Sequence, residues 1–366
     1  MPQGPPELDF GSPSRTRHHR RALGQPFPRP RVPSPPLPGG EQAESWFREH
    51  TWNSAAFANI AQLVETKRRR NVTISLGLPA LNEEKTIGGI IRCIKDRLML
   101  EHPLLDEIVL IDSGSSDRTR EIAAAEGIPV HIHQEVLPRL GAQEGKGEAL
   151  WKSLFVLQGD IIVWIDTDIE NIDPRFVYGL VGPLLVDPEL LFVKGFYKRP
   201  IKQGSQLIPG GGGRVTELVT RPFFNLLFPE LSGFIQPLSG EYAGRREALI
   251  QVPFAKGYGV ETGLLIDIVR KFGLERVAQV DLFERIHGSQ DLQALSRMSF
   301  AILQVILRRL EEDGRVAMRT EIEKILRTIA WDDSGPHLER CFIDESERPP
   351  MISVPEYRLQ RILRSR

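Results

Sequence analysis

The run Ile161-Ile162-Val163-Trp164-Ile165, followed at once by Asp166-Thr167-Asp168, constrains this chain most. An unbroken apolar run of this length, without polar alternation, marks a strand buried on both faces, as in a parallel sheet covered by helices. The two carboxylates therefore stand at the carboxyl end of a strand. In open α/β sheets ligands bind at that edge, and hard oxygen donors one residue apart suit Mg²⁺ or Mn²⁺ bridging a diphosphate. A bare D-x-D arises about once by chance in a chain this long, so the neighbouring segments decide its meaning.

Three more junctions of strand and loop precede it. Thr73–Leu78 reads as a strand that stops at Pro79, and Pro79-Ala80-Leu81-Asn82-Glu83-Glu84 leads into a helix over Lys85–Met99. The loop at Pro79, Ala80 and Leu81, with Glu83, is placed to hold a base and ribose; an ordinary polar loop is the plain alternative. Glu107–Ile111 is the next strand, ending in Asp112-Ser113-Gly114-Ser115-Ser116-Asp117 before a helix over Glu121–Glu126. Asp112 and Ser113 lie nearest the strand end and are ligand candidates, whereas Asp117 reads as a helix N-cap. Pro129–His133 makes a further strand whose His131 and His133 share a face, with packing favoured over metal binding. Lys146, between Gly145 and Gly147, opens an amphipathic helix and is placed to reach a phosphate. The spacing is not that of a P-loop, since Gly147 stands where a hydroxyl is needed.

Taken together, L-P-A-L-N-E-E, D-S-G-S-S-D-R-T, E-G-K-G-E-A-L and D-T-D in this order resemble an A-type glycosyltransferase. The segments Pro209–Leu218, Pro237–Arg246 and Gly257–Gly263 narrow the resemblance to the glucosyl-3-phosphoglycerate and mannosyl-3-phosphoglycerate synthase family, over about residues 45–330. It implies an α/β fold with a Rossmann-like nucleotide-binding half joined to an acceptor-binding half around one mixed sheet. The expected boundaries are a disordered tail at 1–43, the nucleotide-sugar half at 44–170, the acceptor half at 171–290 and a helical extension at 291–366. The extension is the expected contact of a homodimer, which the resemblance favours.

The resemblance implies that a hexose passes from a nucleoside diphosphate to 3-phosphoglycerate with retention. Such an acceptor needs donors for a phosphate and a carboxylate. Gly213, Arg214 and Thr216 provide them: the glycine run allows an anion nest, Arg214 a bidentate fork and Thr216 a hydroxyl at the start of a helix. A lone histidine is usually packed or surface-bound, but the family match makes His287 a metal ligand together with Asp168, and places Asp166 nearer the ribose and donor sugar. A nitrogen in an oxygen shell favours Mn²⁺ or Co²⁺ over Mg²⁺, with cellular abundance favouring Mg²⁺. Leu238 is implied to present its carbonyl beside the reacting centre. Glu261 is implied to bind sugar hydroxyls, with a base role as the weaker alternative, and Arg285 joins the substrate-binding residues. Attack from the face the phosphate leaves requires no side-chain nucleophile. Overall likeness leans towards the mannosyl branch with some glucosyl ability.

Two other classes are weighed. A nucleotidyltransferase would carry a glycine- and arginine-rich loop where this chain has Pro79-Ala80-Leu81-Asn82, and a non-catalytic sugar-nucleotide sensor would not need Asp168, His287 and Arg214 intact. A net charge of −1 argues against a general nucleic-acid binder. Two well-separated cysteines, Cys93 and Cys341, argue against a disulfide framework and for a reducing cytoplasm. The absence of a long apolar run or leader argues against a membrane span. The Pro- and Arg-rich first 40 residues cannot bury a core and are expected to be disordered. Helices are expected over Glu44–Val64, Leu292–Leu310 and Val316–Trp331.

Overall fold

A computed structural model describes residues 39–203, 206–208, 212–286 and 290–364. The expected tail before residue 39, Gly210, Gly211 and His287 lie outside the described residues.

The chain begins with helix α1 (Gly39–His50), strand β1 (Thr51–Asn53) and helix α2 (Ile60–Arg70). It then alternates through β2 (Ile74–Ala80), α3 (Ile87–Lys95), β3 (Glu107–Asp112), α4 (Thr119–Ala125), β4 (Val130–Ile132), α5 (Lys146–Val156) and β5 (Ile161–Trp164). Helix α6 (Arg175–Val186) leads to β6 (Phe192–Lys198), and the short strands β7 (Ile201–Gln203) and β8 (Gln206–Ile208) precede α7 (Arg221–Leu227). Next come β9 (Tyr242–Arg245), α8 (Arg246–Leu249), β10 (Phe254–Ala255), α9 (Val260–Phe272) and β11 (Val277–Glu284). The C-terminal part holds α10 (Leu292–Glu312), β12 (Ile325–Asp332), β13 (Gly335–Phe342), β14 (Glu347–Arg348) and α11 (Pro355–Arg364).

Eight strands form one sheet in the order β1-β11-β6-β9-β5-β2-β3-β4. Only β9 runs antiparallel to its neighbours, β5 and β6. The carboxyl ends of β2, β3, β5, β6 and β11 therefore share one rim with the amino end of β9. In open α/β sheets it is at such a rim that ligands bind. Both faces are covered, as the unbroken apolar runs require: β5 is buried throughout, and Phe176, Val177, Leu180, Val181, Leu184 and Leu185 of α6 are buried. Each such side chain stabilises the fold by about 1.5–3 kcal/mol.

Two helical expectations are corrected. Glu44–Val64 is not one helix: Thr51-Trp52-Asn53 pairs with β11, and a single short turn, Ser54–Phe57, follows before α2. Asparagines explain the breaks, since Asn53 accepts the Ala55 N–H at 2.9 Å and Asn59 accepts that of Gln62 at 3.2 Å, each offering the backbone a partner that ends or restarts a helix. Val316–Trp331 is not a helix either, because β12 and β13 form an antiparallel hairpin. Its loop is the pair Asp333-Ser334, with Asp332 accepting the Ser334 N–H at 2.8 Å and Gly335 at φ +109°. That Asp-Asp-Ser-Gly turn beside the β-branched Ile325, Thr328 and Ile329 overrode apolar spacing at threes and fours. The C-terminal extension is thus a helix, a hairpin and a second helix rather than helical throughout.

Candidate active site

Asp166 and Asp168 leave the end of β5 on a loop clasped by Thr167, whose Oγ1 donates to the Pro79 carbonyl at 2.8 Å. The Thr167 carbonyl accepts in turn from Thr86 Oγ1 at 2.6 Å, which ties this loop to the one after β2. The middle residue of D-x-D thus fastens the two carboxylates to the chain at the end of β2.

Lys146, first residue of α5, sets its ammonium 2.6 Å from Asp166 Oδ1 and 2.8 Å from Glu261 Oε1 on the first turn of α9. Arg285 approaches from the end of β11, 3.2 Å from Asp166 Oδ2, in contact with Asp168, and 3.2 Å from Glu241 Oε1. Burial alone would raise the Asp166 carboxyl, but Lys146 and Arg285 hold it far below the usual carboxylate range. Burial likewise opposes the Lys146 ammonium, and Asp166 and Glu261 outweigh it to hold the charge well above its ordinary range. The loop carrying Leu238 comes up to the same carboxylate, because a Cβ on Gly240 would collide with Asp166. Leu238 itself is half-buried. The glycines around Lys146 serve packing: a Cβ on Gly147 would strike the Ala255 carbonyl, and Gly145 sits at φ +121° against Lys256.

In the loop after β2, Ala80 is buried, Leu81 is exposed and Glu83 is half-buried. Their loop is laced to the one after β3: Ser113 N–H donates to the Ala80 carbonyl at 2.8 Å, Asn82 N–H to Ser115 Oγ at 2.9 Å and Glu83 N–H to Thr119 Oγ1 at 2.7 Å. Asp112 is no ligand candidate here. It is fully buried, and its Oδ2 accepts the Gly114 and Ser115 N–H groups at 2.9 and 3.0 Å. Asp117 is not the N-cap of α4, a place taken by Arg118 without a side-chain cap bond; it stands one residue earlier and accepts the Thr119 N–H at 3.0 Å. His131 is exposed while His133 is fully buried, so the two rings do not share a surface.

Gly213 adopts φ +82°, which only glycine takes freely, before a helical stretch containing Thr216 that continues into α7. Thr216 is buried, and Arg214 is exposed with its Nη2 donating to the Gln290 carbonyl at 2.7 Å. The acceptor candidates therefore lie against the chain that leaves β11, just past Arg285.

Glycosyl transferase family 2 matches residues 75–250. A glucosyl-3-phosphoglycerate synthase of Petrotoga mobilis is 54% identical over 310 residues, 85% of this chain and 95% of the relative. One from Mycolicibacterium smegmatis is 46% identical over 84% of this chain and 93% of the relative. The chain belongs to the glucosyl-3-phosphoglycerate synthase family. Among solved structures, mannosyl-3-phosphoglycerate synthase from Rubrobacter xylanophilus shares the fold at a TM-score of 0.78 and 39% identity, over 86% of this chain and 98% of that one. Glucosyl-3-phosphoglycerate synthase from Mycobacterium tuberculosis, in complex with Mn²⁺, UDP and glucosyl-3-phosphoglycerate, matches at 0.70 and 41% identity over 80% of this chain and 95% of that one.

For a member of the glucosyl-3-phosphoglycerate synthase family the donor set fits a divalent cation. Asp168 is 43% exposed at the rim, and burial together with the charges of Asp168 and Asp166 raises the Glu83 carboxyl, a sign of negative potential that a cation would relieve. In this family member the site also contains groups that motif reading passed over. Lys194 of β6 is 1% exposed and donates to the Ser239 carbonyl at 2.6 Å. Its ammonium lies 4.3 Å from the centre of the Tyr242 ring. Tyr197 donates its hydroxyl to Glu241 Oε2 at 2.5 Å and accepts from Arg199 and Arg285 at 2.8 and 2.9 Å. The available signal was a lysine inside Phe192-Val193-Lys194-Gly195-Phe196, since a charge within an otherwise buried strand needs partners.

Proposed function

We propose that this chain transfers a hexose, glucose first and mannose second, from a nucleoside diphosphate to 3-phosphoglycerate with retention at the anomeric carbon. The observation that carries the reading is Asp166 gripped by Lys146 and Arg285 beside Asp168, at one rim of a chain 54% identical to a glucosyl-3-phosphoglycerate synthase. Preference for glucose follows the curated relatives above, which shifts weight away from the mannosyl branch.

Pro79, Ala80, Leu81, Glu83 and Ser113 hold the nucleoside, and Lys146 and Asp166 hold the ribose and sugar side. Asp168, with His287, would hold Mg²⁺ or Mn²⁺, which supplies charge neutralisation for the departing diphosphate. Lys146 and Arg285 place fixed cations at the same spot without reorganisation during the reaction. Gly213, Arg214 and Thr216 receive the phosphate and carboxylate of the acceptor, and Leu238 lines the reacting centre. The Glu261 carboxylate is already neutralised by Lys146, which suits recognition of sugar hydroxyls better than proton abstraction. A cytoplasmic setting goes with this reading, supported by two free thiols; among the described residues no helix is long and apolar enough to cross a membrane.

The homodimer is part of the proposal, with the hairpin as its seam. Register pairs Ile329 with Leu338, Trp331 with Pro336 and Ile325 with Phe342, so all six project from one face of the ribbon. Trp331 is 75% and Phe342 70% exposed; Arg327 and Arg340 pair on the same face between Ile325–Phe342 and Ile329–Leu338, and a second copy related by a two-fold axis would cover the apolar positions on either side of them. A Trp331→Ser/Phe342→Ser double variant should sediment as monomer where the parent sediments as dimer.

Incubation with UDP-glucose or GDP-mannose, 3-phosphoglycerate and Mn²⁺ tests the activity by release of nucleoside diphosphate and the mass of the product. Dependence on pyrophosphate would instead mark a nucleotidyltransferase, and binding without turnover a sensor.

A further inference from the structure

The Lys146 ammonium sits between Asp166 and Glu261, and so spans the first turns of α5 and α9, which are held side by side. One short segment reaches both. Asp344 accepts from Lys256 Nζ at 2.7 Å, and the Ser346 carbonyl accepts the Lys256 N–H at 3.1 Å. Between them the Glu345 carboxylate, 2% exposed, accepts three consecutive backbone N–H groups: Gly257 at 3.1 Å, Tyr258 at 3.1 Å and Gly259 at 3.2 Å. These donors lead directly into α9, whose cap residue Gly259 has no side chain to satisfy them, and an anion is favoured at a helix N-terminus. A Cβ on Gly257 would collide with that carboxylate, so glycine is required for the approach.

Three residues on, Arg348 grips the buried Glu148 through both oxygens, Nε to Oε2 at 2.7 Å and Nη2 to Oε1 at 2.8 Å. Glu148 lies two residues past Lys146 in the first turn of α5. Arg348 also donates to the Leu140 and Gly141 carbonyls at 2.8 and 3.0 Å, fixing the chain that enters that helix. Bidentate arginine–carboxylate pairs fix orientation as well as distance. The segment is a buckle between two helix ends, supplied by a part of the chain that touches none of the donor-site residues through these groups.

We propose that Glu345 and Arg348 are positioning residues for the donor site, acting through the first turns of α9 and α5 to hold the Lys146 ammonium between Asp166 and Glu261. The proposal rests on the donor-site reading above. Acceptor binding should be insulated, because Arg214 and Thr216 stand on a different helical segment, which leads into α7.

The test compares Glu345→Gln and Arg348→Lys with the parent at a temperature where circular dichroism shows all three folded. UDP binding with Mn²⁺ is measured by calorimetry, and KM for each substrate together with kcat by diphosphate release. Glu345→Gln keeps an acceptor but puts an amide donor against backbone N–H groups, and Arg348→Lys keeps charge but loses the fork. Both should lose about 10- to 100-fold in UDP affinity or kcat, the range for residues that orient a site from behind, while KM for 3-phosphoglycerate stays within about twofold. Wild-type donor affinity and kcat in both variants, with only a lowered melting midpoint, would overturn the inference. So would equal losses in donor and acceptor parameters. A parent protein that fails to bind UDP would overturn the donor-site reading, and this inference with it.

Discussion

The two halves of the rim handle charge differently. In the parallel half, the ends of β2, β3 and β5 and the loops after them bury Asp112, Ser115 and Thr167 as internal fasteners and leave other polar groups at the water edge, as with Asp168 at 43% exposure. In the other half, β6, β9 and β11 bring charge into the interior: Lys194, Glu241 and Arg285 are each at most 3% exposed. Burying an ion is tolerable only where partners replace its water, and Tyr197, Glu241 and Arg285 do so for one another. On the proposed reading, the first half would place ligating groups, while the second would supply a preorganised field behind them. Rim substitutions should therefore strike activity, and interior substitutions should strike stability as well.

Arg285→Met is the severest way to probe that contrast. It leaves Glu241 buried without its cation, and breaking a buried pair on one side costs about 3–5 kcal/mol, to be read as a lowered urea midpoint. A midpoint unchanged from the parent would mean that the interior half is not held by its charges. Asp168→Ala should do the opposite, removing about 10²- to 10³-fold of Mn²⁺-dependent turnover while altering stability by about 1 kcal/mol or less.

Lys194→Met sharpens the comparison through pH. Burial pushes the Lys194 ammonium from 10.5 down to about 7, so between those values the unfolded chain binds more protons than the folded one. Stability of the parent relative to Lys194→Met should then rise with pH across that window, by at most about 1.4 kcal/mol per pH unit, and be level below it. Urea titrations of both proteins at pH 6, 8 and 10 would show this. A constant difference would place the lysine's charge outside the folding equilibrium. The mildest change is Arg214→Ala at the exposed edge: KM for 3-phosphoglycerate should rise about tenfold with kcat nearly kept, and an unaltered acceptor KM would remove Arg214 from the site.

The contrast also explains what the sequence made legible. Loops that follow unbroken apolar strands are visible because a strand end and a run of Asp, Ser and Gly are local signals, which singled out Asp166, Asp168 and Ser113, as flanking glycines did Lys146, while the metal role expected of Asp168 came from the family resemblance. Glu241 and Tyr197 could not, because a buried ion pair is defined by residues far apart in sequence, 44 positions in this case. Lys194 left a trace as a charge inside an apolar strand, without a partner that composition could supply. Asp112 misled for the converse reason: a carboxylate at a strand end is as useful for holding the Gly114 and Ser115 N–H groups as for holding a ligand. In the C-terminal part, apolar spacing at threes and fours across Val316–Trp331 competed with a turn signal just beyond it, and the turn won.

Because every strand of the sheet except β9 points the same way, the opposite rim carries none of this machinery. There the chain enters β2 and β5 close together, with Thr73 donating through both N–H and Oγ1 to Asp160 at 2.8 Å. Asn71 and Asp160 are exposed at that end. With Cys93 and Cys341 replaced by serine, a cysteine handle at the exposed Arg69 in the last turn of α2 would tether the molecule to a bead or electrode with the opposite, proposed substrate rim facing the bulk, so that immobilisation need not obstruct entry or release.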